Sequence, residues 1–315
     1  MTEILEFNKE HIERAKKIVL INYNEEKAIV TALPQVPECP DLEPFADNGL
    51  GVAMLNGDEM LGFLCCYKPR DNVFNSAARG IFSPVQAHGA VSRDRGTIYK
   101  RLYQAAAQKW VSCKITSHAI ALYAHDSQAL NAFFTYGFGM RCVDAVRALA
   151  EFEHKCCEGI TFSEIAKTES SMLREMRRLL AAHMGESPCF MYSPPKAVES
   201  WIERAEKRDT REFIAMQGGS PVAFIEIGDD GEAFVTETGG MMNICGAFCL
   251  REHRGKGVAQ GLLNYAISVL KAEGYESLGV DFESFNPTAS GFWLKHFTAY
   301  TNSVVRRIDE CALAE

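Results

Sequence analysis

Between Met242 and Thr298 the apolar positions follow two periods in turn. MNICGAFCL, from Met242 to Leu250, is an apolar run of strand length, rich in small residues. The charged segment REHRGKG follows. Ala259, Leu262, Leu263, Ala266, Ile267 and Leu270 then recur at i, i+3, i+4, i+7, i+8 and i+11, which predicts one buried face of a helix. Lys271 in the last turn and Gly274 just beyond it suit a helix C-terminus. In SLGVDFES, Leu278, Val280 and Phe282 alternate with Gly279, Asp281 and Glu283, the period of a strand. Asn286-Pro287 breaks the chain, and a short helix is predicted through Trp293. The order is strand, Gly-rich loop, helix, strand, helix.

Upstream, REFIAMQGGSPVAFIEIGDDGEAFV reads as two strands joined at Gly218-Gly219, preceded by helical patterns at about Ser170–Met184 and Pro195–Lys207. Antiparallel strands leading into a βαβ unit predict a mixed α/β sheet with helices on its faces. The first half of the chain repeats the plan. GVAMLNGDEMLGFLCCYKP is a second hairpin, and HGAVSRDRG leads into a helix with Ile98, Leu102, Ala105 and Ala106 on one face. A strand about His118–Ala124 and a short helix through Phe133 follow. Asp126-x-x-Ala129 and Asn286-x-x-Ala289 stand about 160 residues apart, as do the two hairpins, a period of domain size. Two tandem domains are therefore expected, 1–152 and 160–315, with the boundary in the polar stretch Phe152–Gly159.

The composition narrows the partners. The chain has 315 residues, 47% apolar and 23% charged, which suits two globular domains. Its formal charge is -8 and no basic stripe occurs, which argues against nucleic acid or an anionic membrane as main partner and suits a cationic or amine substrate. The 11 cysteines are odd in number, lack a CxxC pair, and lie partly in apolar stretches (Cys65-Cys66, Cys156-Cys157, Cys245, Cys249). Free thiols in a reducing compartment are expected, with neither a disulfide framework nor a metal site. The charged MTEILEFNKEH start and the absence of a long apolar run predict a cytoplasmic protein.

The chemistry concentrates where the strand ending at Leu250 meets the helix beginning near Val258. The first amides of a helix lack internal partners and carry the positive end of its dipole. Gly255 and Gly257 let the main chain approach an anion closely, and Arg254 and Lys256 add charge. Neither the dinucleotide fingerprint GxGxxG nor the P-loop fits, since position 260 is Gln and no GK[ST] follows. Arg254-Gly255-Lys256-Gly257-Val258-Ala259, on a strand–loop–helix, resembles the RxxGxA acyl-CoA motif of the GNAT N-acetyltransferase superfamily. Asn286-x-x-Ala289-x-x-x-Trp293 falls where that family carries Asn-x-x-Ala-x-x-x-Tyr. The resemblance covers Thr161–Asp309 well and Met1–Val146 more loosely.

It implies two GNAT-like domains and acetyl-CoA as acyl donor, with the pantetheine arm paired to the strand about Phe248, Cys249 and Leu250. An amine would attack the thioester directly in a ternary complex, the oxyanion held by a backbone N–H of that strand. Acceptors range from polyamine or aminoglycoside-like molecules and amino acids to protein N-termini and lysines. Departures from the family pattern matter as much. Trp293 stands where the family's tyrosine acid is expected, and an indole cannot deliver that proton. Phe133 replaces the tyrosine in the first copy, and Arg93–Ile98, with Asp94 and Ile98, is a poor cradle. That copy is expected to be degenerate, with a structural role. The base candidates are Glu283, nearest the open end of its strand, then Glu237. Asp281, His253 and an acyl-cysteine at Cys245 or Cys249 are weaker. The rival reading is an acyl-CoA-binding sensor without turnover. Homo-oligomerisation is left open.

Overall fold

A computed structural model of the chain describes residues 2–36, 38–154, 158–231 and 233–313. The chain divides into two compact units. The first gathers Met1–Thr31, Gln35–Asp144 and Ala299–Glu315; the second gathers Ala32–Pro34 and Ala145–Thr298. The chain's last segment thus counts with the first unit, which the division at 152/160 does not anticipate. Cys156 and Cys157, in the expected linker, lie outside the described residues.

The first unit runs β1 (Thr2–Glu6), α1 (Ile12–Ile29), α2 (Glu43–Ala46), β2 (Val52–Asn56), β3 (Glu59–Leu64), β4 (Gly80–Ser83), β5 (His88–Ala90), α3 (Arg95–Ser112), β6 (Ser117–Tyr123), α4 (Ser127–Thr135) and into β7 (Gly139–Ala148). Strands β1, β2, β3 and β5 form an antiparallel sheet in that order. Strand β4 pairs with β6 in parallel, separately from β5. The helix predicted from Ile98, Leu102 and Ala106 is α3, and those three side chains are buried in the core with Trp110 and Phe133. Burying side chains the size of Ile98, Leu102 or Phe133 contributes about 1.5–3 kcal/mol each.

In the second unit the elements are β8 (Ile160–Ile165), α5 (Arg174–Gly185), α6 (Pro195–Lys207), β9 (Arg211–Gln217), β10 (Ser220–Gly228), β11 (Met241–Cys249), α7 (Val258–Ala272), β12 (Ser277–Glu283) and α8 (Pro287–Trp293). A turn of 3-10 helix, Lys167–Leu173, occupies the start of the stretch predicted as helix from Ser170. The sheet order is β12-β11-β10-β9-β8, with β11 and β12 parallel and the other pairs antiparallel. Gly218 and Gly219, at φ +57° and +84°, make the predicted β9–β10 turn, a conformation that favours glycine at both positions. Alternation along the strands serves two helices. Ile214 and Phe224 pack with Leu173 and Met176 on the α5 face. Phe213 meets Tyr265 of α7 edge-on from the other face.

The last strand, β13 (Thr298–Arg307), pairs antiparallel with β6, from Thr301 opposite Tyr123 to Arg307 opposite Ser117. Val304 is wholly buried in the first unit's core. This mixed α/β architecture is the fold class expected from the sequence.

Candidate active site

The site is made by a parting of strands. Strands β11 and β12 pair only from Met241–Ser277 to Ile244–Val280. Strand β11 stays with β10 well beyond that point, to Cys249 opposite Ala223. The β10–β11 register shifts where Gly246 faces Glu226 and Ile244 faces Ile227, which leaves Cys245 as the extra residue of a β-bulge. A bulge bends its strand and interrupts the ladder, and here the interruption coincides with the end of pairing to β12. Simple alternation therefore does not carry across Cys245.

A cleft of about 550 Å³ opens from this parting, within the usual range for small-molecule sites. Ala247, Phe248 and Cys249 of β11 form one wall, Leu262 of α7 lies at its back, and Trp293 of α8 closes another side. Burial pushes the Cys249 thiol up to about 11, so it stays protonated at neutral pH and is a poor nucleophile.

The mouth carries the glycine loop. Gly255 and Gly257 stand at φ +73° and +89°, and Gly257 is the N-cap of α7. A side chain added at Gly255 would meet nothing within 4 Å, so the backbone there is open to the cleft. Helical geometry leaves the first amides of α7 without intrahelical acceptors, and the residues carrying them (Val258, Ala259, Gln260) line the cleft. Arg254 is fixed in place: its Nε donates to the Cys249 carbonyl at 2.9 Å and its guanidinium lies 5.3 Å from the Phe248 ring centre. Amides, helix dipole and a held guanidinium together suit an anion such as a pyrophosphate.

Of the eleven residues expected to hold a cofactor, Phe248, Cys249, Arg254, Gly255, Gly257, Val258, Ala259, Asn286 and Trp293 line this one cleft. Leu250 and Lys256 are outside the lining; the Leu250 amide donates to the Val222 carbonyl. Asn286 is committed locally. Its Oδ1 caps α8 by accepting from the amides of Thr288 (3.2 Å) and Ala289 (3.4 Å) and from the Thr288 hydroxyl (2.7 Å). Trp293 is 7% exposed and meets Phe292 and Phe297 edge-on, at ring-centre distances of 4.8 and 5.5 Å.

Neither base candidate is in the lining. Glu283 ends β12 beside Cys189, and Glu237 is exposed after the short 3-10 turn Phe234–Thr236. Among the described residues the lining holds no carboxylate and no tyrosine. Its titratable side chains other than Arg254 and Cys249 are His183, His253, Lys295 and His296. His183 comes from α5 and meets Thr288 of α8, Nε2 to Oγ1 at 3.1 Å. Nothing in the local sequence marks His183; only the packing of α5 against α8 brings it to the site.

The sequence also hides what anchors α5. Arg177, fully buried, donates to Glu212 Oε1 (2.7 Å) and Glu226 Oε2 (3.2 Å), and Lys167 and Ser170 also donate to Glu212 Oε1. Thr210 donates to Glu226 Oε1 at 2.8 Å. Glu212 and Glu226 are nearly as buried as Arg177. One and two turns on, Leu180 and His183 line the cleft.

In the first unit, side chains tie the strands and the helix start together. Strands β5 and β6 are bridged by buried His88, whose Nε2 meets the Ala121 carbonyl at 2.6 Å and whose Nδ1 meets the Tyr99 hydroxyl at 2.9 Å. Helix α3 is capped by Asp94 at φ +54°, the place Gly257 holds on α7. By that register Arg95, not Thr97, answers to Val258, so the match of 93–98 to 254–259 is two residues out. The Arg95 guanidinium pairs with Asp126 (3.1 Å) and Glu25 (2.7 Å) at the helix start.

Residues 176–297 match the family model described as acetyltransferase (GNAT) family. A GCN5-related N-acetyltransferase from Sphaerobacter thermophilus has a similar fold, with a TM-score of 0.60 at 14% identity over 97% of this chain and 95% of that one. So has the GCN5-related glucosamine N-acetyltransferase region of a fungal multi-domain GH3 beta-N-acetylglucosaminidase, with a TM-score of 0.51 at 13% identity over 97% of this chain and 38% of the other. No curated protein matches the sequence. Among the described residues, no helix is long and apolar enough to cross a membrane, and no group of side chains could hold a metal ion.

Proposed function

We propose that this protein, whose residues 176–297 match the acetyltransferase (GNAT) family model, transfers an acetyl group from acetyl-CoA to an amine by direct attack in a ternary complex. The observation that carries the reading is the cleft itself: a helix N-terminus capped by a left-handed glycine opens at its mouth, beside a strand edge that β12 has left unpaired. The α7 amides and Arg254 would hold the cofactor's pyrophosphate. The free edge of β11 about Ala247–Cys249 offers backbone groups to the pantetheine amides, which makes that arm a surrogate strand. A backbone N–H of β11 would stabilise the oxyanion as the amine nitrogen bonds to the thioester carbon. The carbon–sulfur bond then breaks and CoA leaves.

Acetyl rather than a longer acyl group, and nitrogen rather than oxygen as acceptor, belong to this proposal. So does a degenerate first unit without acyl-CoA, supported by the His88 bridge and the Arg95–Asp126 pair. One observation favours a second reading, a sensor that binds acyl-CoA without turnover: Trp293 occupies the cleft wall where a proton donor would serve catalysis. Radiolabelled acetyl-CoA incubated with a panel of polyamines, aminoglycosides, amino acids and peptides separates the two. Labelled amide product supports transfer, binding without product across the panel supports the sensor, and no binding contradicts both.

A further inference from the structure

We propose that His183 is the base that takes the acceptor amine's proton, held in the required tautomer by Thr288 and Asn286; this role rests on the acetyl-transfer reading above. The cleft lining, among the described residues, has no carboxylate or tyrosine, so the proton steps fall to its histidines and Lys295. His296 is engaged elsewhere: its ring stacks on Phe152 with centres 4.6 Å apart, its Nε2 lies 3.4 Å from the Gln260 amide nitrogen, and burial together with Arg147 and Lys295 lowers its pKa. His253 belongs to the 3-10 turn Arg251–His253 leading into the anion loop, on the side where the pyrophosphate is proposed to sit. His183 belongs to a different element, α5, and meets the first turn of α8.

The hydrogen bonds fix which nitrogen carries its proton. Asn286 Oδ1 accepts from two backbone amides of α8, so its orientation is set. The Thr288 hydroxyl has one hydrogen and gives it to that oxygen at 2.7 Å. The contact of His183 Nε2 with Thr288 Oγ1 at 3.1 Å then requires Nε2–H to be the donor. Neutral His183 is left with its lone pair on Nδ1. A base held in one tautomer by a hydroxyl and an amide is the logic of an oriented general base.

The amine nitrogen's lone pair forms the bond to the thioester carbon, and the carbonyl π pair moves to oxygen. On collapse the carbon–sulfur bond breaks and its pair leaves with sulfur as thiolate. The proton shed by nitrogen goes to His183 Nδ1, giving an imidazolium. That proton passes on to the thiolate, which restores neutral histidine beside an amide and free CoA thiol.

The test uses the full chain with whichever amine the label assay identifies, comparing wild type, His183→Ala and Thr288→Val. Expected for His183→Ala is a loss in kcat/KM of about 10²–10⁴-fold, the range of general-base catalysis, with the acetyl-CoA Kd unchanged. The acidic limb of its pH–kcat/KM profile should vanish, and added imidazole should restore part of the rate. Thr288→Val should lose less activity and shift that limb, since Nε2 loses its acceptor. The other groups facing the cleft that could contribute to the profile are Cys249, His253, Arg254, Lys295 and His296. Wild-type kcat/KM in His183→Ala overturns the role, and so does a loss that imidazole does not restore. Wild-type protein that transfers no label overturns the acetyl-transfer reading itself, and the role with it.

Discussion

Trp293 packs edge-on between Phe292 and Phe297 in the cleft wall, and both its neighbours and its chemistry point to shape rather than proton transfer. Trp293→Phe is therefore expected to keep kcat within about tenfold of wild type, because an aromatic wall survives the change. Steady-state kinetics with the identified amine checks this. Two other buried rings set a pH dependence. His88 and His118 are buried and neutral, each donating from Nε2 to a carbonyl and accepting a tyrosine hydroxyl on Nδ1, and burial lowers each pKa from 6.5 to about 4. The unfolded chain takes up these protons near 6.5 and the folded chain only near 4, so between those values the unfolded state binds more protons. Stability should be full above about 6.5 and fall as the pH drops through about 4, by a few kcal/mol. Thermal melts at neutral and acidic pH should show a smaller acid shift for His118→Gln than for wild type. At this scale the sequence discloses residues whose role is a backbone demand, such as Gly255 and Gly257. It conceals His183, whose role depends on a helix distant in sequence.

Helices α7 and α6 and strand β12 were legible because each carries its own period and its own ends. The bulge at Cys245 was not: a single extra residue leaves no trace in composition, yet it sits where β11 leaves β12. Helix α5 shows the same limit. Its apolar face was readable, whereas its anchoring ion cluster draws Arg177, Glu212 and Glu226 from three separate elements. Arg177→Met would leave two buried carboxylates with Lys167, Ser170 and Thr210 alone. The expected cost is about 3–5 kcal/mol, read as a lower midpoint in urea unfolding. A change within 1 kcal/mol would show that the cluster does not hold α5.

For the molecule as a whole, the repeat of hairpin, helix, strand and short helix led to an expectation of two tandem domains, and the chain divides into two compact units. Where the last strand goes was hidden, because an apolar strand such as β13 says nothing about its partner; it pairs with β6 of the first unit. The halves also differ in what occupies the corresponding ground. The second unit leaves a cleft; in the first, His88 spans from β5 to β6 and Arg95 is locked to Asp126 and Glu25. With a single cradle in the second unit, as proposed above, the chain is expected to bind one acyl-CoA.

Calorimetric titration of acetyl-CoA into the full chain and into Gly257→Val tests this most directly. At φ +89° a β-branched side chain is strained and would also crowd the backbone approach to the phosphates. The account predicts one site per chain in the wild type and none in Gly257→Val. Undiminished binding by Gly257→Val, or two equivalent sites in the wild type, would contradict it.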